Sequence, residues 1–295
     1  MKKMLVISLF IILAMLNSLM VAVVLAEQGT AGGAAPELRF GVGARAFALG
    51  GAYGVIVNDA TATYWNPAGL GALEHTNFNA MHSELFLGTN YDYLGWATPL
   101  KYGSIGLSYL RISTPGILIY KDSQYLGKDD ASADVFYLGY GIDLRGWRVG
   151  ITAKYLEKEL PTASGSVFSV DLGIQRELTE ELLLGITLQD IISPEIEWSN
   201  GYREEVPTNY RIGLAYKNNN WLVLYEYEKA DDFSQGHLGF EYELNQYLTL
   251  RSGLREDDFT AGIGLKKDNY QFDYAYCAGD LGNTHRLSFA VDFIK

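Results

Sequence analysis

The stretch Gly41-Val-Gly43-Ala-Arg-Ala46 nearly matches a dinucleotide fingerprint, in which glycines let a backbone turn approach a pyrophosphate. It lacks the strand–helix–strand unit that should follow, and the acidic residue expected at the end of a second strand. It is therefore read as close backbone packing. No Walker A loop, Gly-x-Ser-x-Gly or His-Glu-x-x-His occurs. The four histidines are His75, His82, His237 and His285. His75 and His82 lie too far apart to share one helix face as metal ligands, and neither has an evident carboxylate partner. Each of the four is expected to be exposed or in a loop. A Ser/His/Asp set would have to be gathered from separate segments, and no pattern marks one. The lone Cys277 excludes an internal disulfide and a Cys/His zinc cluster, which leaves a small packing residue in a strand. No catalytic residue, metal or cofactor is assigned, and no enzymatic activity is expected.

The ionisable residues that remain fall on one face of the later strands. They are Arg211, Arg251, Arg255 and Arg286, with Glu226, Glu228, Glu241, Glu243, Asp273 and Asp292. Both signs on one face predict cross-strand pairing that braces a filled interior. A selective pore would carry a ring of one sign. The formal charge of −12 and pI near 4.8 give no basic footprint for nucleic acid.

The elements that position these charges are strands. Trp221, Val223, Tyr225 and Tyr227 alternate with Leu222, Leu224, Glu226 and Glu228, and Tyr270–Cys277, Phe259–Lys266 and Arg286–Phe293 alternate likewise. The 13% aromatic content and 32 glycines suit half-buried strands packed closely. About fourteen such segments can be placed, each near the length of a tilted strand crossing a bilayer. They run over 76–85, 91–99, 103–112, 132–143, 146–157, 166–176 and 182–190. The others run over 207–217, 220–229, 236–244, 247–255, 258–267, 269–278 and 283–293. Tight turns at Lys101-Tyr102, Leu144-Arg145, Asn218-Asn219, Asn245-Gln246 and Lys267-Asp268 alternate with longer links, notably Ser113–Ala131 and Ile191–Val206. Short turns on one rim and longer loops on the other mark an outer-membrane barrel, with both chain ends on the short-turn side. A secreted sandwich would carry abundant Lys, Glu and Thr on its outer faces, where this chain has Gly, Ala, Ser and sparse charges. A propeller would repeat a blade motif, and none is present.

Lys2 and Lys3 precede an apolar run from Met4 to Ala26, followed by polar Glu27-Gln28. This is a secretory signal, with cleavage expected after Ala26. The last strand, Leu287 to Lys295, alternates and carries Phe293 two residues before the end, the form that barrel assembly machinery reads.

One stretch does not alternate. Gly41–Tyr53 leads into Asn58-Asp-Ala-Thr-Ala-Thr-Tyr-Trp-Asn-Pro-Ala-Gly-Leu70. Asp59 is placed to cap a helical turn over Ala60–Tyr64. Asn66 is placed to cap the next, with Pro67 at its first position. The set Gly43, Arg45, Ala46, Leu49-Gly50-Gly51-Ala52, Asp59-Ala60 and Trp65-Asn66-Pro67-Ala68-Gly69-Leu70 resembles the N-terminal region of FadL-like outer-membrane proteins, most closely the PorV/PorQ-type branch. The likeness covers residues 41–73. It implies a hatch inside a fourteen-stranded barrel, with Gly43, Arg45, Gly50, Gly51, Asp59, Trp65, Asn66, Pro67 and Gly69 as its motif.

The fold expected is thus all-β: a transmembrane antiparallel barrel of about fourteen strands with a small luminal hatch of short helical turns. Residues 1–26 form the signal, 27–74 the hatch segment and 75–295 the barrel, located in the bacterial outer membrane after cleavage. By resemblance, the fatty-acid branch takes up hydrophobic compounds that bind beside the hatch and leave through an opening in the barrel wall. The PorV/PorQ branch serves protein export as a surface scaffold. Expected partners are outer-membrane lipids, the barrel assembly machinery, and either a hydrophobic small molecule or exported proteins. Ile117, Leu118, Ile119 and Tyr120, with Ile196 and Trp198, are the apolar loop residues available to such a ligand or partner, or to fold over the barrel mouth. Replacing Asn66 and Pro67 together should loosen the hatch and leave the barrel folded. Single-channel conductance that stays unchanged in that variant would remove the plug assignment.

Overall fold

Period-two alternation fixes which side of each strand meets the interior, so fourteen segments that alternate in step can share one inner face. The computed structural model describes residues 35–192, 194–231, 233–255, 258–279 and 282–294. The signal and its cleavage site lie outside the described residues. The first strands are β1 Thr76–Glu84, β2 Asn90–Pro99, β3 Ser104–Lys121, β4 Gln124–Leu144, β5 Trp147–Leu160, β6 Ala163–Glu177 and β7 Leu182–Gln189. A small hairpin follows, β8 Glu195–Trp198 and β9 Arg203–Glu205. The chain then continues as β10 Asn209–Asn218, β11 Trp221–Ala230, β12 Phe233–Asn245, β13 Leu248–Arg255, β14 Asp258–Lys267, β15 Tyr270–Gly279 and β16 Gly282–Phe293. Apart from the β8–β9 hairpin, these strands form one antiparallel ring of 14, in which β7 pairs with β10 and β16 closes onto β1.

The register matches the alternation. Leu94, Trp96, Phe136, Leu138, Phe168, Ile212, Phe240, Phe259 and Phe272 point outward and are exposed, so the outer wall is apolar around the ring. Thr76 pairs with Phe293, which sets the start and end of the barrel together at the tight-turn rim. At the opposite rim the expected 113–131 loop is instead strand. Antiparallel pairing of β3 with β4 continues from Thr114↔Ala131 to Lys121↔Gln124, through register shifts beside Pro115 and Gly116. Those two residues break the alternation in sequence, but a bulge carries the ladder past them.

Residues 35–73 run through the lumen. They form a 3-10 turn at Pro36–Arg39, helix α1 at Ala44–Ala48, helix α2 at Ala62–Trp65 and a second 3-10 turn at Pro67–Ala72. Such short pieces cannot hold themselves together. What seats them is a girdle of inward-facing glycines paired across the strands: Gly106 with Gly139, Gly141 with Gly150, Gly150 with Gly173, Gly185 with Gly213, and Gly239 with Gly253. A Cβ on Gly150 would lie 2.2 Å from the Pro67 carbonyl, and one on Gly253 would lie 2.2 Å from the Gly50 nitrogen. The inner backbone therefore touches the barrel backbone directly.

Gly150 has ordinary backbone geometry, so a side chain there meets only the inner segment. Gly150→Val should cost about 1–3 kcal/mol of stability through overpacking and expose the Asn66–Ala68 region to protease. Wild-type denaturant midpoint and protease protection in that variant would contradict the close seating.

Candidate functional site

The lumen is the site, and its parts are the inner segment, the wall that holds it, and the spaces at either end. Asn66 caps the second 3-10 turn as expected, accepting from Ala68 N–H at 3.1 Å, and its amide donates to the Gly54 carbonyl at 3.0 Å. Asp59 acts slightly differently from the expected cap. It accepts from the Thr61 N–H at 2.8 Å and from the Thr61 hydroxyl, so the turn tightens before α2 begins at Ala62. Burial pushes the Asp59 carboxyl up, while the two Thr61 bonds pull it down. Trp65 donates its indole N–H to the Val42 carbonyl at 2.9 Å and meets Tyr53 and Tyr64 edge-on. Pro67 lies on Gly150. Gly43, Gly50 and Gly51 take positive φ angles, and a Cβ on Gly50 would also strike the Leu254 carbonyl at 2.5 Å. Gly69 passes against Val57, with 2.3 Å between its would-be Cβ and that carbonyl. The motif residues thus join one another or the wall.

Of the charges expected to pair, Arg211, Arg251, Glu226, Glu228, Glu241 and Asp273 do so, and the inner segment joins in, whereas Arg255, Arg286, Asp292 and Glu243 form no such pair among the described residues. Arg45 makes a bidentate contact with Glu241 at 2.9 and 2.8 Å. Arg251 bridges Glu241 and Asp273, each at 2.6 Å. That set holds two cations and two carboxylates. In a second set, Arg211 contacts Glu226 and Glu228, donates to the Gly51 carbonyl at 2.9 Å, and lies 5.1 Å from the Trp65 ring centre. His237 stands between the Gly50 carbonyl at 2.7 Å and Glu228 at 2.9 Å. Both ring nitrogens of His237 thus have an oxygen partner. His237 is buried, contrary to the exposed or loop state expected, because a carboxylate and a carbonyl converge on it. Arg286 donates to the Phe40 carbonyl at 3.0 Å and to that of Gly41, with the Phe47 ring 3.6 Å away. Arg255 reaches the Arg39 carbonyl, Asp292 accepts from Asn77 at 2.9 Å, and Glu243 lies exposed at the tight-turn rim. His82 also departs from expectation. It faces outward opposite Asp92, 2.7 Å away, a pairing visible only once strand register is known.

The other half of the wall differs from the polar interior expected. Over β2–β6 the inner face carries Leu110, Ile112, Val135, Leu156 and Val167, all buried. Beneath them lies a group that sequence reasoning missed: Lys154 between Asp171 and Asp190, each at 2.8 Å. Its signal was available, since Lys154 and Asp171 occupy inward positions of adjacent predicted strands. On the tight-turn side of the inner segment, two polar cavities of about 340 and 350 Å³ share Arg45, Asn58, Ala72 and Glu74.

The two apolar loop candidates are not brought together. Leu118 and Tyr120 are exposed on the β3–β4 ribbon beyond the rim, with Ile117 and Ile119 half-buried beside them. Ile196 is fully buried and Trp198 packs beside the same core, so the β8–β9 hairpin folds over the mouth.

Fold and lumen together define a closed antiparallel barrel with an inner segment in its lumen, braced by ion pairs over β10–β16 and by a mix of apolar residues and one Lys154–Asp171–Asp190 set over β3–β7. No protein-family model matches the sequence, and no curated protein does. Among solved structures, the chain is similar to the Pseudomonas putida toluene transporter TodX, at 12% identity over 85% of this chain and 96% of that one, with TM-score 0.60. A TodX variant described as a monoaromatic hydrocarbon channel gives 14% identity over 86% and 99%, with TM-score 0.59. A Pseudomonas aeruginosa FadL homologue gives 11% over 86% and 98%, with TM-score 0.58. At these identities the likeness is one of fold, that of FadL-type barrels.

Arg211→Met leaves Glu226 and Glu228 buried with one cation fewer, and should lower unfolding stability by about 3–5 kcal/mol. Adding Glu226→Gln should recover part of that loss. A single variant within experimental error of wild type in denaturant titration would show that the set carries no net strength.

Proposed function

We propose that this chain is an outer-membrane channel that passes small hydrophobic compounds, with residues 35–73 as its hatch. The observation that carries this reading is the divided lumen. Here the inner wall over β2–β6 presents Leu110, Ile112, Val135, Leu156 and Val167 towards the long-loop mouth. On the tight-turn side of the inner segment the two cavities are polar. A compound with little affinity for water gains on the first side and is released on the second. The described activity of TodX as a hydrocarbon channel supports the same reading.

The outward apolar belt suits strands crossing hydrocarbon and supports a membrane setting, with outer-membrane lipids as the surroundings this reading gives it. Cleavage after Ala26 and insertion by the barrel assembly machinery belong to the same proposal. Ile117, Leu118, Ile119 and Tyr120 on the projecting ribbon form a first apolar surface outside the mouth, and Ile196 and Trp198 belong to its cover. The export role implied by the PorV/PorQ likeness gains no support from the structures compared above, which are of hydrocarbon-channel and FadL type.

Expression of the full chain in a two-membraned host tests the proposal directly. The protein should fractionate with membranes, shift on a detergent gel when boiled, and raise toluene entry several-fold without raising permeability to a small sugar. A heat-indifferent soluble band would end the membrane assignment. Sugar entry without toluene entry would end the hydrophobic one.

A further inference from the structure

The cover over the mouth is held lightly. Among the described residues, hairpin β8–β9 pairs with the barrel at two positions, Gly165↔Trp198 and Ser166↔Glu197. Two further bonds join Ser199 and Ser164, at 2.7 and 3.1 Å. Ile196 rests on Gly165, where a Cβ would come within 2.8 Å of Ile196 and 3.1 Å of Trp198. Gly165 is thus the seat of the cover.

Directly across the ladder from Gly165 stands Lys158. Its ammonium lies 2.9 Å from the Glu37 carboxylate and 5.8 Å from the centre of the Trp198 ring. Glu37 belongs to Pro36–Arg39, the first turn of the inner segment, and is buried. One cation therefore touches the cover through a ring and the inner segment through a charge.

We propose that Lys158 couples the two barriers of the lumen, so that lifting the β8–β9 cover loosens the first turn of the inner segment. With the cover seated, Trp198 shields the ammonium from water and the Lys158–Glu37 attraction is strong. With the cover raised, water reaches the pair and the attraction falls to that of a surface contact. The ring contact is lost in the same movement. The two barriers then open together, and a molecule entering beneath the cover meets an inner segment already released at its start. This purpose rests on the channel reading, but the coupling itself does not.

Hydrogen–deuterium exchange on the full chain in detergent separates the two. The reporters are the Leu38 amide, bonded to the Ala35 carbonyl, and the Gly41 amide, bonded to the Tyr64 hydroxyl. Gly165→Val unseats the cover without altering a charge. It should speed exchange across Ile196–Ser199 and, by about tenfold, at Leu38 and Gly41. Lys158→Met should speed exchange at Leu38 and Gly41 and, through loss of the ring contact, across Ile196–Ser199, and adding Gly165→Val to it should change Leu38 and Gly41 no further. If Gly165→Val frees the cover while Leu38 and Gly41 keep wild-type protection, the coupling is wrong. Should that variant lose the barrel, shown by loss of its heat-modifiable band, Trp198→Ala removes only the ring. It should speed the same two amides, and wild-type protection there would equally overturn the proposal. Coupling seen in a protein that passes no toluene would leave this inference standing and remove the channel.

Discussion

An irregular backbone buried inside a barrel has no strand of its own to bond with, and every peptide group that its short turns leave unbonded must find a partner in the wall. The rest of the structure follows from that constraint. The wall supplies side chains in place of a ladder. Gln175 donates to the Gly54 and Val57 carbonyls at 2.9 and 3.1 Å, Gln189 to the Tyr64 carbonyl at 2.9 Å, and Thr260 to the Ala48 carbonyl at 3.1 Å. Ser288 and Asn77 accept from the amides of Ala44 and Ala60 at 2.7 and 2.9 Å. Such short side chains reach only if the two backbones are close, and the glycine girdle makes them close. The polar residues and the glycines of the inner face thus have one explanation between them.

The same constraint explains why charge is tolerated in the lumen. Arg45, Arg251, Glu241 and Asp273 sum to no net charge, and Arg211 offsets Glu226 and Glu228 with His237 hydrogen-bonded to the latter. Sets paired in this way limit uncompensated buried charge. Their spare donors then go to the inner segment: Arg211 to Gly51, His237 to Gly50. Arg286 has carbonyls and aromatic rings around it instead, and serves the same end at Phe40 and Gly41.

Much of this was legible in the amino-acid order. Period-two alternation is local, so apart from the long β3–β4 ribbon and the β8–β9 hairpin the strand spans emerge to within a few residues, and Asn66-Pro67 announces its own capped turn. The family resemblance added the luminal placement of residues 41–73, which no periodicity gives. What stayed hidden depends on register. His82 finds Asp92, and Lys154 finds Asp171, across strand pairs whose alignment no single strand encodes. His237 is buried by a carbonyl from a segment 187 residues away in the chain. Pro115 and Gly116 misled in the other direction, because a ladder passes a bulge that an alternation count does not. The apolar half of the lumen was missed for a related reason. Leu110, Val135, Leu156 and Val167 come from four strands, and each strand alone shows only a strand with apolar residues on both faces.

The divided wall also divides the inner segment. From Phe40 to Gly51 it is tied by charged groups of β10–β16: Arg45 to Glu241, and Arg211, His237 and Arg286 to carbonyls. From Gly54 to Tyr64 it is tied by neutral ones: Asn77, Tyr93, Ser108, Gln175 and Gln189. A neutral bond contributes about 1 kcal/mol net, whereas separating a buried charge from its partner costs several. Displacement of the inner segment is therefore cheapest in its second half. Tyr93, Ser108 and Gln175 stand on β2, β3 and β6, three of the strands that bear the apolar face. The more weakly tied part of the inner segment thus lies against β2, β3 and β6, while the part held by buried charge lies against β10–β16.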